Sequence, residues 1–284
     1  MIHRFERPDS IAGAARLLAS GPWTVLAGGT DLYPAHVGRP LAAPILDITA
    51  IGALRGIRRD GDLGWHIGAT TTWSDVIRAD LPPLFDGLKA AAREVGGVQI
   101  QNTGTVAGNL CNASPAADGV PALLALDARV LLHSAQARRE VPLERFVLGN
   151  RKTARAADEL VVGIRIPDRS ERARSVFIKL GGRRYLTISM TMVAVVIDTD
   201  AAGTIGYAGA AVGSCSAAAR RLPALEARLL GASAAADPGV LVEAADLAPL
   251  SPIDDLRASA GYRLDATVVL LRRALRSLLD PVPA

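Results

Sequence analysis

Short apolar runs separated by glycine- and proline-bearing turns divide the chain into helices and strands of modest length. Residues 11–19 follow Asp9 and Ser10, either of which can cap a helix, and Gly21-Pro22 ends it. The run 24–27 then predicts a short buried strand leading directly into Gly28-Gly29. A second short strand is expected at 45–48, and segments 54–58 and 63–67 flank Asp60-Gly61, a hairpin signal. Helices follow at 74–79 and 85–94, the second closing at Gly96-Gly97 ahead of a long stretch rich in glycine and asparagine that reads as loop. Helix 120–126 and strands 129–133 and 160–166 come next, and Pro167 stops the last of them.

A charged stretch at 168–174 has no apolar periodicity and marks a boundary. Beyond it, strands at 175–180, 188–197 and 204–212 succeed one another with a turn at Ala202-Gly203, so an antiparallel three-stranded sheet is predicted. Helices at 223–230, 240–246 and 258–279 are expected to cover one face of that sheet. The fold class is α+β.

Composition narrows the functional classes. Half of the 284 residues are apolar, enough for a sizeable packed core. The net charge of +4 accompanies 28 acidic residues and only 4% aromatics, which gives no support to nucleic-acid binding. The paired arginines at 138–139, 183–184, 220–221 and 272–273 are scattered and read as solvated surface or a protein contact. The N-terminus is charged, and no apolar run approaches the roughly 20 residues that span a bilayer. A cytoplasmic protein without membrane contact is the expectation. With only Cys111 and Cys215, the chain cannot build a four-cysteine iron–sulfur or zinc site alone, and Cys111 reads as a small buried hydrophobe. No metal site is expected.

Two glycine loops carry the chemistry. LAGGTDL at 26–32 and NTGTVAGNLCNASPAAD at 102–118 combine bare backbone N–H groups with short hydrogen-bonding side chains, which suits a bound pyrophosphate. No GxGxxG follows a strand and no Walker lysine follows a glycine loop, so the Rossmann and P-loop readings fail. GxSxG and HExxH are absent too, leaving hydrolase chemistry without support. Gly206, Gly209 and Gly213 read as tight strand packing.

With TVAGN at 105–109 and SPAAD at 114–118, the chain resembles the FAD-binding subunits of the molybdenum hydroxylase family, which includes xanthine dehydrogenase and carbon monoxide dehydrogenase. That family pairs an early AGG loop with a later TIGGN or SVGGN loop, and the resemblance covers nearly the whole chain. It implies a two-lobed FAD-binding domain of the PCMH type at 1–170, with lobes at about 1–55 and 56–170, and a C-terminal CO-dehydrogenase-flavoprotein-like domain at 171–284. It also implies that Ala27, Gly28, Gly29, Thr30 and Asp31, with Thr105, Val106, Ala107, Gly108 and Asn109, hold the FAD diphosphate. Asp118 would contact the sugar-like portion, Val161 would pack on the flavin, and Lys179 would bring it a positive charge.

The residues themselves leave other roles open. Asp118 can cap helix 120–126, Lys179 can be a surface lysine, and Asp31 can cap its own turn or reach a ribose hydroxyl. Ala107 departs from the family's glycine and needs a backbone angle that tolerates a Cβ. Arg183 and Arg184 match the family's basic pair without an assigned role.

The activity implied is electron transfer, with no catalytic residue in this chain. A large molybdopterin subunit would oxidise the substrate, an N-heterocycle, purine or other aromatic, and a small subunit with [2Fe–2S] clusters would relay electrons. The FAD of this medium subunit would pass them to NAD, oxygen or a carrier within a heterotrimer or a dimer of heterotrimers. Two alternatives stand beside this. One is a self-sufficient flavin oxidase with His36 or Cys111 attached to the flavin, and the other is a non-redox nucleotide-binding assembly subunit.

Overall fold

In the computed structural model the described residues are 4–38, 43–234 and 236–279. The chain opens with strand β1 (Phe5–Glu6), helix α1 (Ile11–Ala19), β2 (Thr24–Leu26) and β3 (Ile45–Asp47), which form a parallel sheet in the order β1-β3-β2. Ser10 caps α1 by accepting from the Gly13 N–H, and Ala14, Ala15 and Leu18 form its buried face.

A mixed unit follows. It contains β4 (Ile57–Arg59), β5 (Trp65–Gly68), α2 (Trp73–Arg78), α3 (Asp86–Glu94), α4 (Val98–Thr103), α5 (Val106–Asn112) and α6 (Gly119–Ala125). Then come β6 (Arg129–His133), β7 (Arg138–Pro142), α7 (Leu143–Phe146), β8 (Val147–Gly149), β9 (Lys152–Thr153) and β10 (Leu160–Ile166). Its sheet runs β4-β5-β10-β6-β7, with β10 antiparallel to both β5 and β6, so residues near 160 reach the sheet centre.

Three expectations change here. The hairpin at Asp60-Gly61 exists, but a 3-10 turn at Gly61–Leu63 lengthens it and the second strand starts at Trp65. The stretch read as a long loop is largely helical, as α4 and α5, because Thr105 caps α5 by accepting from the Gly108 N–H at 3.0 Å. Residues 240–246 form two 3-10 turns, Pro238–Leu241 and Ala244–Leu247, in place of one helix.

The C-terminal part carries β11 (Arg174–Gly181), β12 (Ser189–Thr199), β13 (Ile205–Gly213), β14 (Arg220–Arg221), α8 (Pro223–Leu229) and α9 (Ala260–Leu279). Its sheet, β11-β12-β13-β14, is antiparallel and has one short strand more than the three expected. Period-two alternation splits β12 between two cores. Val193, Val195 and Ile197 pack with α8 and α9, whereas Met192, Ala194 and Val196 join the core containing α3 and α6. Gly209 makes this second contact possible, since a Cβ there would lie 2.9 Å from the Tyr207 hydroxyl and 3.0 Å from the carbonyl carbon of Ala125.

Candidate functional site

The two glycine loops meet across one cleft of about 710 Å³. The first loop leaves β2 at Leu26 and turns so tightly that Gly28 presses on the end of α4. A Cβ at Gly28 would lie 2.7 Å from the Thr103 carbonyl carbon and 3.0 Å from Gly104 Cα, with the Thr103 oxygen closer still. Gly29 adopts a φ of +69, the left-handed region that glycine enters without strain. Among the described residues, the N–H groups of Gly28, Gly29, Thr30 and Asp31 donate to no protein acceptor, so the loop presents free donors to the cleft.

The second loop is held from behind. The Trp73 N–H donates to Gly104 O at 3.1 Å and the Val106 N–H to Thr71 O at 2.9 Å, so residues 71–73 fix the entry into α5. Ala113, left-handed with φ 49, ends that helix, and the Arg151 N–H donates to its carbonyl at 3.1 Å. Ala107 sits in the first turn of α5, where negative φ accommodates a Cβ without reshaping the chain.

Of the residues singled out from sequence, Ala27, Gly28, Gly29, Thr30, Asp31, Thr105, Ala107, Gly108, Asn109, Asp118 and Val161 all line this cleft. Val106 does not; it is fully buried in the core behind α5. Asp31 is exposed at the cleft, and its side chain caps no turn among the described residues. Asn109 Oδ1 is buried without a hydrogen-bond partner, an acceptor ready for a ligand hydroxyl or N–H. Gly108, on the cleft wall, has a structural task as well. A Cβ there would lie 2.7 Å from Thr105 Oγ1, so it guards the cap of α5.

Lys179 lines no cleft wall itself but extends from β11 to Asp118, with Nζ 2.9 Å from the carboxylate and only 7% of the side chain exposed. The surface-lysine alternative is thereby excluded. Asp118 occupies the N-cap position of α6 yet its side chain makes no capping bond; it faces Lys179 and receives the Ser189 hydroxyl at 3.4 Å. Burial pushes the Asp118 carboxyl up to about 6, against the pull of Lys179, with Glu94 adding to the rise. Above that pH the pair is neutral overall, so Lys179 is no free cation.

Sequence reasoning missed part of the site. Trp23, Ile48 and Leu160 supply apolar wall, and Arg151 and Arg155 supply positive charge. The arginines come from the β8–β9 region, which no periodic signal marked because both strands are three residues or shorter. Arg155 is committed to the carbonyls of Ala156 and Glu159, whereas Arg151 has no ion-pair partner among the described residues. His36 and Cys111 also line the cleft. His36 Nδ1 donates to Leu32 O at 2.8 Å. Cys111 is open to the cleft instead of buried as expected, yet the enclosing protein desolvates its thiol and pushes it up to about 11, with Arg155 pulling weakly the other way.

Arg183 donates to the carbonyls of Tyr185 and Leu186 and shapes the β11–β12 connection, while Arg184 stacks on the Tyr185 ring at 5.2 Å. No helix among the described residues is long and apolar enough to cross a membrane.

A cleft walled by free loop amides, an unpartnered asparagine oxygen and apolar side chains suits a dinucleotide. Comparison with known proteins specifies the family. The profile described as "FAD binding domain in molybdopterin dehydrogenase" matches residues 2–169, and the "CO dehydrogenase flavoprotein C-terminal domain" matches 177–278. The chain belongs to the FAD-binding medium subunits of the molybdenum hydroxylases.

Among its relatives, the xanthine dehydrogenase FAD-binding subunit of Escherichia coli O157:H7 is 34% identical over 189 residues, and that match spans 65% of each chain, just under two thirds of the relative's length. The nicotinate dehydrogenase FAD-subunit of Eubacterium barkeri is 33% identical, covering 72% of this chain and 71% of its own. The structure of reconstituted CO dehydrogenase from Oligotropha carboxidovorans superposes with a TM-score of 0.86 at 28% identity, covering 99% of both chains.

Proposed function

We propose that this chain receives electrons from the [2Fe–2S] clusters of a small partner subunit and delivers them to an acceptor such as NAD, oxygen or a carrier. The organic substrate is oxidised in a separate large molybdopterin subunit. The observation that carries this reading is the convergence of both glycine loops on one cleft. FAD bound there supplies a carrier that takes up two electrons, singly or together. The N–H groups of residues 28–31 and Thr105 would hold the diphosphate portion, Arg151 would add the charge that neutral donors lack, and Asn109, whose own N–H is spent on Thr105 O, would offer its side chain. Leu160 and Val161 would keep water from the ring, and Asp118 would hold or release a proton near pH 6 beside Lys179. The substrate we assign to the complex is an N-heterocycle or purine, in keeping with relatives named for xanthine and nicotinate. The working assembly we assign is a dimer of heterotrimers.

Copurification of the tagged full chain from its native host tests the reading. The expected product is a complex containing molybdenum, iron and one FAD per chain, with FAD released by acid. Flavin that stays covalently attached, together with turnover of an organic substrate by the isolated chain with oxygen, would replace it with the self-sufficient oxidase. Colourless chain that takes up no FAD would favour an assembly subunit.

A further inference from the structure

The cleft wall at residues 114–118 belongs to the N-terminal half of the chain, yet the groups that hold it come from the C-terminal sheet. Ser214, just past β13, donates its N–H to Pro115 O at 3.0 Å. Ser189, at the start of β12, turns its hydroxyl to Asp118. These two tethers come from different strands and grip Pro115 and Asp118, on either side of the cleft-lining Ala116 and Ala117.

Both tethers lead back to one side chain. Arg263 lies in the first turn of α9 and is only 3% exposed. Its Nη1 donates to Ser214 O at 3.2 Å and, in a shorter bond, to Met190 O, the carbonyl next to Ser189. Its Nη2 donates to Asp255 Oδ1 at 2.7 Å, which orients the fork. Ser214 needs such a hold, because its φ of 63 places a non-glycine residue in the left-handed region.

We propose that Arg263 is a positioning residue for the FAD cleft, fixing its 114–118 wall through the Ser214–Pro115 and Ser189–Asp118 tethers. Planar, multiply donating guanidinium suits this task, since a single ammonium cannot hold two carbonyls and a carboxylate in one plane. The proposal rests on the FAD reading for its functional consequence, whereas its geometric core concerns the chain without ligand.

The test compares Arg263→Met with Arg228→Met. Arg228 is a matched control, bridging Asp246 and Leu241 O in the same half of the chain, with none of the three lining the cleft. Arg263→Lys, which keeps the charge beside Asp255, serves if the methionine variant does not accumulate. Two measurements are made on the full chain: amide hydrogen exchange without ligand, and FAD affinity by flavin fluorescence. Arg263→Met should speed exchange at the amides of 116–118 and Ser214 and weaken FAD binding by about tenfold, the low end of what losing a residue that orients a site's direct contacts costs. Arg228→Met should lower the melting temperature while leaving both readouts at wild-type values. Exchange at 116–118 and FAD affinity indistinguishable between the two variants would overturn the proposal and leave Arg263 a purely stabilising residue. If wild-type chain binds no FAD, the FAD reading fails separately, and the exchange measurement still decides whether Arg263 holds the wall.

Discussion

Gly28→Ala is the most informative single substitution, because it adds one methyl where two parts of the backbone touch. The new Cβ would lie 2.7 Å from the Thr103 carbonyl carbon. Unstrained carbon contacts need roughly 3.5–4.0 Å, so the first loop and the end of α4 must part by about 0.8–1.3 Å. Neither neighbour is a flexible side-chain tip that can swing away. Overpacking of this kind costs about 1–3 kcal/mol, and the displacement separates the two walls that face the cofactor. Gly108→Ala is its built-in contrast. There the added Cβ meets only Thr105 Oγ1, at 2.7 Å, so about 1 kcal/mol of capping is lost while a similar amount of helix propensity is gained. Gly28→Ala should therefore melt several degrees lower and lose most FAD affinity, whereas Gly108→Ala should melt close to wild type. The assay is thermal unfolding with and without FAD, paired with fluorescence titration. Wild-type FAD affinity in Gly28→Ala would refute the idea that contact between these loops sets the cleft.

Lys179→Met should show a stability loss that depends on pH. The Asp118 carboxyl is raised by burial to about 6 in the wild type and rises further without its partner. A folded-state value above the unfolded one gives stability that is present at low pH and lost as pH rises through the folded value, so the gap between variant and wild type should open above pH 6. Its slope is about 1.4 kcal/mol per unit until the variant's own value is passed. Urea unfolding at pH 5.5 and pH 8 checks this, and a gap of equal size at both would contradict it. Cys111, with its thiol at about 11 against an ordinary 9.0, should react with iodoacetamide at pH 8 about 100-fold more slowly than a free cysteine peptide. Mass spectrometry of the time course should also find buried Cys215 unlabelled in the native chain, and a Cys111 rate equal to the peptide's would mean the cleft does not desolvate it.

Local chemistry was legible without coordinates. The capped helix at Ile11–Ala19, the three long strands of the C-terminal sheet and the two glycine loops each announce themselves over a few residues, because capping, period-two alternation and bare backbone are local properties. The pairing of those loops sufficed to name a cofactor class and a family. What tertiary structure decided is which atoms face each other across long separations. Nothing within a few residues of Asp118 distinguishes a helix cap from an ion-pair partner; the choice was made by Lys179, which β11 brings to it from 61 residues away. Gly108 read only as a cofactor-loop glycine, and its second task, leaving room for the Thr105 Oγ1 cap, shows only in the folded chain. Arg151 stayed invisible, since it sits in a hairpin too short for periodicity and matters only where the end of α5 places it on the cleft. Spacing along the chain sets what a segment can form, but burial and the partner of a charge are set by segments distant in sequence, and so appear only once the chain is folded.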